Sequence, residues 1–346
     1  MRHRVIQWTT GNVGRRSLKS IIRNPGLELV GVFAHGADKV GRDAAELCGW
    51  SEPTGVLATS EVDALLALAP DVCLYNPRWP NVDELVRLLE AGVNVVTTAA
   101  FIDGRAMGPD AQARIRAAAE QGGVSIHGTG MNPGLANVLA IVSTQVCERV
   151  DQVRVLESVD STGYDSFETE AKIGFGQPPD APGLVENARE ATAVFGDAVA
   201  VMADALGVEL DEITFDIDFG LATADNELGY VTIRSGCISA VDGRWRGRAG
   251  GRDLIVLRYQ WTKGQHTEPL FKVRHGYFIE IDGMPSVRTH LLVMPPPDWN
   301  EENYMGLGMI MTAMPAVNAI DAVVKAPPGI VWAHQMNSYA AHGFVS

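Results

Sequence analysis

The residues best suited to chemistry stand near the amino terminus. Val5-Ile6-Gln7-Trp8 leads into Thr9-Thr10-Gly11-Asn12-Val13-Gly14-Arg15-Arg16-Ser17, and a helix-period run with Leu18, Ile21 and Ile22 follows. Two glycines three apart at a strand–helix turn let a pyrophosphate approach the backbone, while the N–H groups and dipole of the helix start face its charge. Thr10, Gly11, Asn12, Val13 and Gly14 are therefore candidate dinucleotide-binding residues. Glycine pairs are common in such turns, so the reading rests equally on the pattern that follows. The second strand ends Val32-Phe33-Ala34-His35-Gly36, with no carboxylate directly after it to hold a ribose 2′-hydroxyl. His35, Lys39 and Arg42 offer cations for a 2′-phosphate instead, which favours NADP and leaves NAD as the alternative. Lys39 and Arg42 also read as ordinary solvated residues.

Hydride transfer needs a nicotinamide held against the reacting carbon and a group that trades a proton with the heteroatom. In a doubly wound sheet such groups follow the carboxyl ends of the strands, here residues 76–79, 98–103 and 127–133. Asn76, Thr98 and Ala99 are expected to border the nicotinamide ribose and carboxamide. Asn132, in Gly130-Met131-Asn132-Pro133-Gly134, fits both a ligand-orienting amide and a helix N-cap. Asp103, His127, Glu157, Tyr164 and His266 are candidate proton carriers, and no pair of them has motif spacing. His127 also reads as a satisfied buried histidine, and Asp103-Gly104 as a simple turn.

These residues need a scaffold that sets strand ends side by side. From Val5 to about Gly130 short apolar runs alternate with turns and helix-period segments, with strands expected at 4–8, 27–33, 55–58, 71–75, 94–98 and 124–127. The expectation is an α/β fold, a Rossmann-type doubly wound parallel sheet over residues 1–134. After Pro133-Gly134 a helix with Leu135, Val138, Leu139, Val142 and Val146 on one face opens a second, α+β domain over 135–302. Its largely antiparallel sheet is expected from strands at 152–160, 213–222, 231–241, 254–263, 277–280 and 286–294. A single long helix at 186–206 covers one face, and hairpin signals stand at Asp242-Gly243 and Asp282-Gly283. Trp245, between Arg244, Arg246 and Arg248, then falls in a solvated turn. A helix at 303–324 is expected to return, with the tail to 346, to the first domain or to pack across the domain junction. The flat second sheet offers a surface for a homodimer.

With 42 acidic against 28 basic residues the net charge is −14, which disfavours nucleic-acid and anionic membrane partners. Cys48, Cys73, Cys147 and Cys237 are scattered without metal-ligand spacing, so no metal is expected and reduced thiols fit the cytoplasm. No apolar run reaches the roughly 18 residues of a membrane span by this reading, and the amino terminus carries no signal-type segment. The Met305, Met309, Met311 and Met314 set reads as core or cleft lining.

The segments 5–15, Lys39-Val40-Gly41-Arg42-Asp43, 128–134, Asn318-Ala319-Ile320 and Ala326-Pro327-Pro328-Gly329 resemble the dihydrodipicolinate-reductase-like NAD(P)-binding family. That family includes 2,4-diaminopentanoate dehydrogenase and the native amine dehydrogenases. The resemblance implies a Rossmann domain, a dimerising second domain, a substrate cleft between them and hydride transfer at a C–N or C–O centre. Two departures stand out. Where the reductases carry His-His-x-x-Lys, this chain reads Glu157-Ser158-Val159-Asp160-Ser161-Thr162-Gly163-Tyr164, which argues against a lysine-biosynthesis role. Where amine-active members place a glutamate after the fifth strand, it has Ala99-Ala100-Phe101. Asp103, the nearest carboxylate, and Tyr164, an aromatic at a cleft-lining position of the family, become the catalytic candidates. Phe101, Phe167, Met309 and Met311 join Tyr164 as an expected apolar lining for the substrate. The expected function is NAD(P)H-dependent reduction or oxidation of a small carbonyl, imine or amine. The alternative is a catalytically silent NADP-binding sensor or scaffold.

Overall fold

The computed structural model describes residues 2–269, 271–301 and 305–344. The chain forms two compact units, Met1–Leu135 with Gly306–Ser346, and Ala136–Met305.

In the first unit the elements run β1 (His3–Trp8), α1 (Asn12–Arg23), β2 (Leu27–Phe33), α2 (Ala44–Cys48), β3 (Ala58–Thr59) and α3 (Val62–Leu66). They continue with β4 (Val72–Tyr75), α4 (Val82–Glu90), β5 (Asn94–Thr97), α5 (Pro109–Gly122) and β6 (Ser125–Gly128). Sequence reading set the third strand at 55–58, whereas the ladder with β2 pairs Val32 with Ala58 and Phe33 with Thr59.

In the second unit follow α6 (Ala136–Ser143), β7 (Arg149–Asp160), α7 (Phe167–Ala171), α8 (Leu184–Ala191), α9 (Ala193–Leu206), β8 (Glu212–Ala222) and β9 (Asn226–Glu227). Then come β10 (Thr232–Ile233), β11 (Ile238–Ala249), β12 (Arg252–Thr262), β13 (Thr267–Glu268), β14 (Gly276–Met284) and β15 (Val287–Leu291). The chain returns to the first unit through α10 (Met305–Val324) and β16 (Gly329–Ile330). Residues 303 and 304 of the helix expected at 303–324 lie outside the described residues.

The first sheet has the order β16-β6-β5-β4-β1-β2-β3, parallel at every pairing. Continuous apolar strands suit it, because crossover helices cover both faces. On one face Ile6, Trp8, Tyr75, Val95 and Ile126 pack with Leu85, Leu88 and Ile115 of α4 and α5. On the other, Val5, Val72, Leu74 and Val96 pack against Ile21 of α1 and Ala316, Val317, Ile320 and Val323 of α10.

That last contact corrects the expectation about apolar runs. Met305–Val324 is long and apolar enough to cross a membrane, with a mean hydropathy of 1.6, yet half of it is buried inside the protein. Met309 and Phe101, expected to line a cleft, are core residues at 4% and 1% exposure. The seventh strand, β16, has no counterpart in the sequence reading.

The second sheet has the order β13-β8-β11-β12-β7-β14-β15, antiparallel except between β12 and β7. Asp242-Gly243 is no turn. Both lie inside β11, where Gly243 opposes Tyr259 and a Cβ there would stand 2.1 Å from the tyrosine ring. The turn between β11 and β12 is Gly250-Gly251, both at positive φ. Asp282-Gly283 likewise lies within β14, before the chain turns into β15. Trp245 is therefore not in a solvated turn: it is 7% exposed, packs on Phe215 and donates to Thr192 Oγ1 at 3.1 Å.

Thr192 also interrupts the helix expected at 186–206, leaving α8 and α9 separate. The strand expected at 231–241 is divided into β10, which pairs with β9, and β11. On α6 the buried residues are Ala136, Asn137 and Ala140, whereas Val142, read on one apolar face with Leu135, Val138 and Leu139, is exposed, as is Val146 beyond the helix end.

Candidate functional site

Thr9 N–H donates to Phe33 O at 3.0 Å as β1 ends, and Thr9 itself adopts φ +68°, a left-handed conformation costly for a β-branched residue. Gly14 comes so close beneath it that a Cβ would lie 2.4 Å from Thr9 O, whereas a Cβ on Gly11 would meet nothing within 4 Å. Helix α1 begins here with no side-chain cap and no acidic residue in its first turn. Its leading N–H groups, on Asn12, Val13 and Gly14, have no partner within the helix by geometry. Among the described residues the buried Thr10 Oγ1 also lacks a hydrogen-bond partner. An open turn, unsatisfied N–H groups, a spare hydroxyl and a helix dipole form the donor set that a pyrophosphate requires, so these residues fit a dinucleotide.

Buried side chains tie the neighbouring strand ends together. Gln7 Nε2 donates to Thr9 O at 2.9 Å and to Asn76 Oδ1 at 2.8 Å, and Asn76 Nδ2 donates to Thr98 Oγ1 at 2.8 Å. One network thus spans the ends of β1, β4 and β5 and joins the expected Asn76 and Thr98 to Gln7. Sequence reading gave Gln7 no role; its only signal was an amide within an apolar strand. Ala99 is buried, its N–H donating to Thr97 Oγ1 at 3.0 Å. Asn132 stands in the 131–135 segment with extended backbone, half-buried.

At the end of β2, His35 is exposed and packs edge-on to Phe33 with centroids 4.7 Å apart. Lys39 Nζ reaches Thr10 O at 3.5 Å, on the pyrophosphate turn. Arg42, ahead of the α2 cap, is exposed and paired with Glu46 of α2 at 3.2 Å. Asp43 is occupied as the cap of α2: burial raises its carboxyl, but bonds from Ala45 N, Thr54 Oγ1, Thr54 N and Gly55 N prevail and hold it at about 2.

The proton candidates differ in freedom. Asp103 is 7% exposed and ion-paired with Arg105. His127 is 1% exposed; burial pushes it down to about 4 despite its Nδ1 bond to Val331 O at 3.0 Å, and Nε2 has no hydrogen-bond partner among the described residues. In the second unit Glu157 hydrogen-bonds Tyr277, whose phenol is raised chiefly by burial. His266 is exposed in the loop between β12 and β13. Tyr164 is half-buried in the loop after β7, its N–H donating to Ser161 O at 2.9 Å.

Beneath that loop lies a cluster the sequence reading did not single out: Lys263, Glu170 and Tyr230. Lys263 follows an apolar strand and Glu170 sits in a run of acids, so no spacing linked them before folding.

A parallel sheet ordered 3-2-1-4-5-6 along its main body, with an open glycine turn after its first strand, defines a Rossmann-type fold. The profile of the 2,4-diaminopentanoate dehydrogenase C-terminal domain matches residues 135–342, and the chain belongs to that family. It is 29% identical over 340 residues to an amine dehydrogenase of Streptomyces virginiae, covering 94% of this chain and 93% of the relative. It is 26% identical to 2,4-diaminopentanoate dehydrogenase of Acetoanaerobium sticklandii, covering 94% and 91%. The solved amine dehydrogenase of Mycobacterium smegmatis superposes with a TM-score of 0.78 over 99% of this chain and 98% of its own, at 19% identity.

Proposed function

We propose that this protein is a nicotinamide-dependent oxidoreductase that prefers NADP and acts on a small carbonyl, imine or amine. The observation that carries the reading is the turn after β1, with open space at Gly11, the close seat of Gly14 and uncapped N–H groups at the start of α1. A nicotinamide held at that turn would supply or accept the hydride, and a residue of this chain would trade the proton with the substrate heteroatom. The amine-directed relatives support a C–N substrate. Ala99, Ala100 and Phe101 present no carboxylate, however, and Asp103 is already engaged in an ion pair with Arg105. Tyr164 is the remaining candidate of the two and the residue to test as proton partner.

Lys39, beside the pyrophosphate turn, supports the NADP preference. Titration with NADPH and NADH, followed by nicotinamide fluorescence, tests it. Lys39→Ala should weaken NADPH binding about tenfold, the scale of a lost charge-assisted bond, with little effect on NADH. Arg42→Ala should do less, because Glu46 already engages it. Equal losses for both cofactors would overturn the assignment. A ketone panel with and without ammonia, with Gly11→Asp as the binding-dead control, then tests turnover. Binding without turnover across the panel would favour the silent sensor or scaffold.

A further inference from the structure

Lys263, directly after β12, is buried completely, an unusual place for an ammonium group. Its Nζ donates to Ser161 O at 2.8 Å, Tyr164 O at 3.0 Å and Tyr230 Oη at 2.6 Å, and pairs with Glu170 Oε2 at 2.8 Å. Tyr230 in turn donates to Thr162 O at 2.9 Å. The rings of Phe175 and Tyr230 lie 5.9 and 5.2 Å from Nζ. Burial lowers the lysine against the pull of Glu170, and raises the carboxyl of Glu170 to about 7 against the pull of Lys263.

Such a pair is a poor way to stabilise a core, since apolar side chains of similar volume commonly do as well. What an apolar side chain cannot do is satisfy carbonyls that a loop turns inward, and a buried carbonyl left without a donor is destabilising. The ammonium spends its bonds on the 161–164 loop and on Tyr230, while the lysine's own N–H joins the sheet at Ser239 O. The loop is fastened again beside it, where Gly264 N donates to Thr162 Oγ1 at 2.8 Å.

We propose that Lys263 is a positioning residue: it holds the carbonyls of Ser161 and Tyr164 and thereby fixes how the Tyr164 phenol is presented to substrate, with Glu170 and Tyr230 keeping the ammonium in place. This rests on the reading of Tyr164 as a substrate-facing residue. Lys263 does not touch the reacting atoms. It acts through the backbone of the loop, so its loss raises KM for the carbonyl or amine more than it lowers kcat, and leaves NADPH affinity unchanged.

The test combines Lys263→Met with Tyr230→Phe, a gentler change that deletes one hydroxyl, and reads each in two ways. Hydrogen exchange across 161–170 in the unliganded protein should quicken in both variants, while β11 and β12 keep their protection. With a carbonyl that the parent enzyme reduces, Tyr164→Ala should raise KM about tenfold in the parent and less than about twofold in the Lys263→Met background, because a misplaced phenol has little left to lose. Unchanged exchange in the loop, or KM effects that multiply, would overturn the proposal. If Lys263→Met does not fold, Tyr230→Phe decides by the same two readouts. If the parent reduces nothing, the catalytic reading has failed; loop exchange still shows separately whether Lys263 holds the segment, and unchanged exchange overturns that part too.

Discussion

The two sheets each have seven strands and put their polar groups to opposite uses. In the first, β4, β5 and β6 are buried at every residue, and the candidate chemistry is gathered at the strand ends, largely on backbone groups. In the second, one face carries Phe215, Trp245 and Leu257. The other carries an ionic lattice in which Arg244 meets Asp216, Asp218 and Asp242, Arg154 meets Glu280 and Asp282, and Arg248 meets Glu212 and Asp253. A site made of backbone needs glycine at fixed offsets and so leaves a mark in the sequence. A site made of side chains from distant segments leaves only residue types.

Three substitutions press on that contrast. Trp245→Ala removes an aromatic packed on Phe215 and should cost about 3–5 kcal/mol of stability. NADPH titration of the folded fraction should be unaffected, and a parallel loss of binding would show that the second sheet shapes the cofactor site after all.

His127 provides a pH test of the first sheet. Its folded value of about 4 lies below the ordinary 6.5, so its contribution to stability is complete above 6.5 and is lost as pH falls through 4. The span corresponds to about 3 kcal/mol. Urea unfolding across that range should show a shallower pH slope in His127→Gln than in the parent, and identical slopes would show that the imidazole is charged in the folded state.

Gly14→Ala drives a methyl into Thr9 O and should cost about 1–3 kcal/mol. NADPH affinity should fall about tenfold or more, because the turn must move. Retained affinity would mean that this backbone does not hold the cofactor.

The contrast also governs what could be read before folding. The six expected strands of the first sheet stand within a few residues of their places, because buried parallel strands are apolar throughout and separated by crossovers. β16 escaped because two residues, Gly329 and Ile330, carry no period. Asp242-Gly243 misled because glycine there makes room for the Tyr259 ring instead of turning the chain. The helix expected at 186–206 hid a break at Thr192, whose hydroxyl serves Trp245 and Ala188 O, a tertiary demand that helical periodicity does not express. Of the candidate site, Gly11, Gly14, Asn76 and Thr98 were legible from strand ends. Gln7 and Lys263 were not, since what matters about each is its partners.

The return of α10 and β16 to the first sheet bears on biosynthesis. The first unit is split in sequence, its early part ending at Leu135 and its remainder beginning at Gly306. As the chain leaves the ribosome, β6 has to wait for β16, and the face of β1, β4 and β5 that receives Ala316, Val317 and Ile320 stays uncovered until the whole intervening unit has been made. A fragment ending near Leu135 would display an open strand edge and an apolar face covered only by α1, both prone to aggregation. The dinucleotide turn is therefore translated well before the sheet that supports it can be finished.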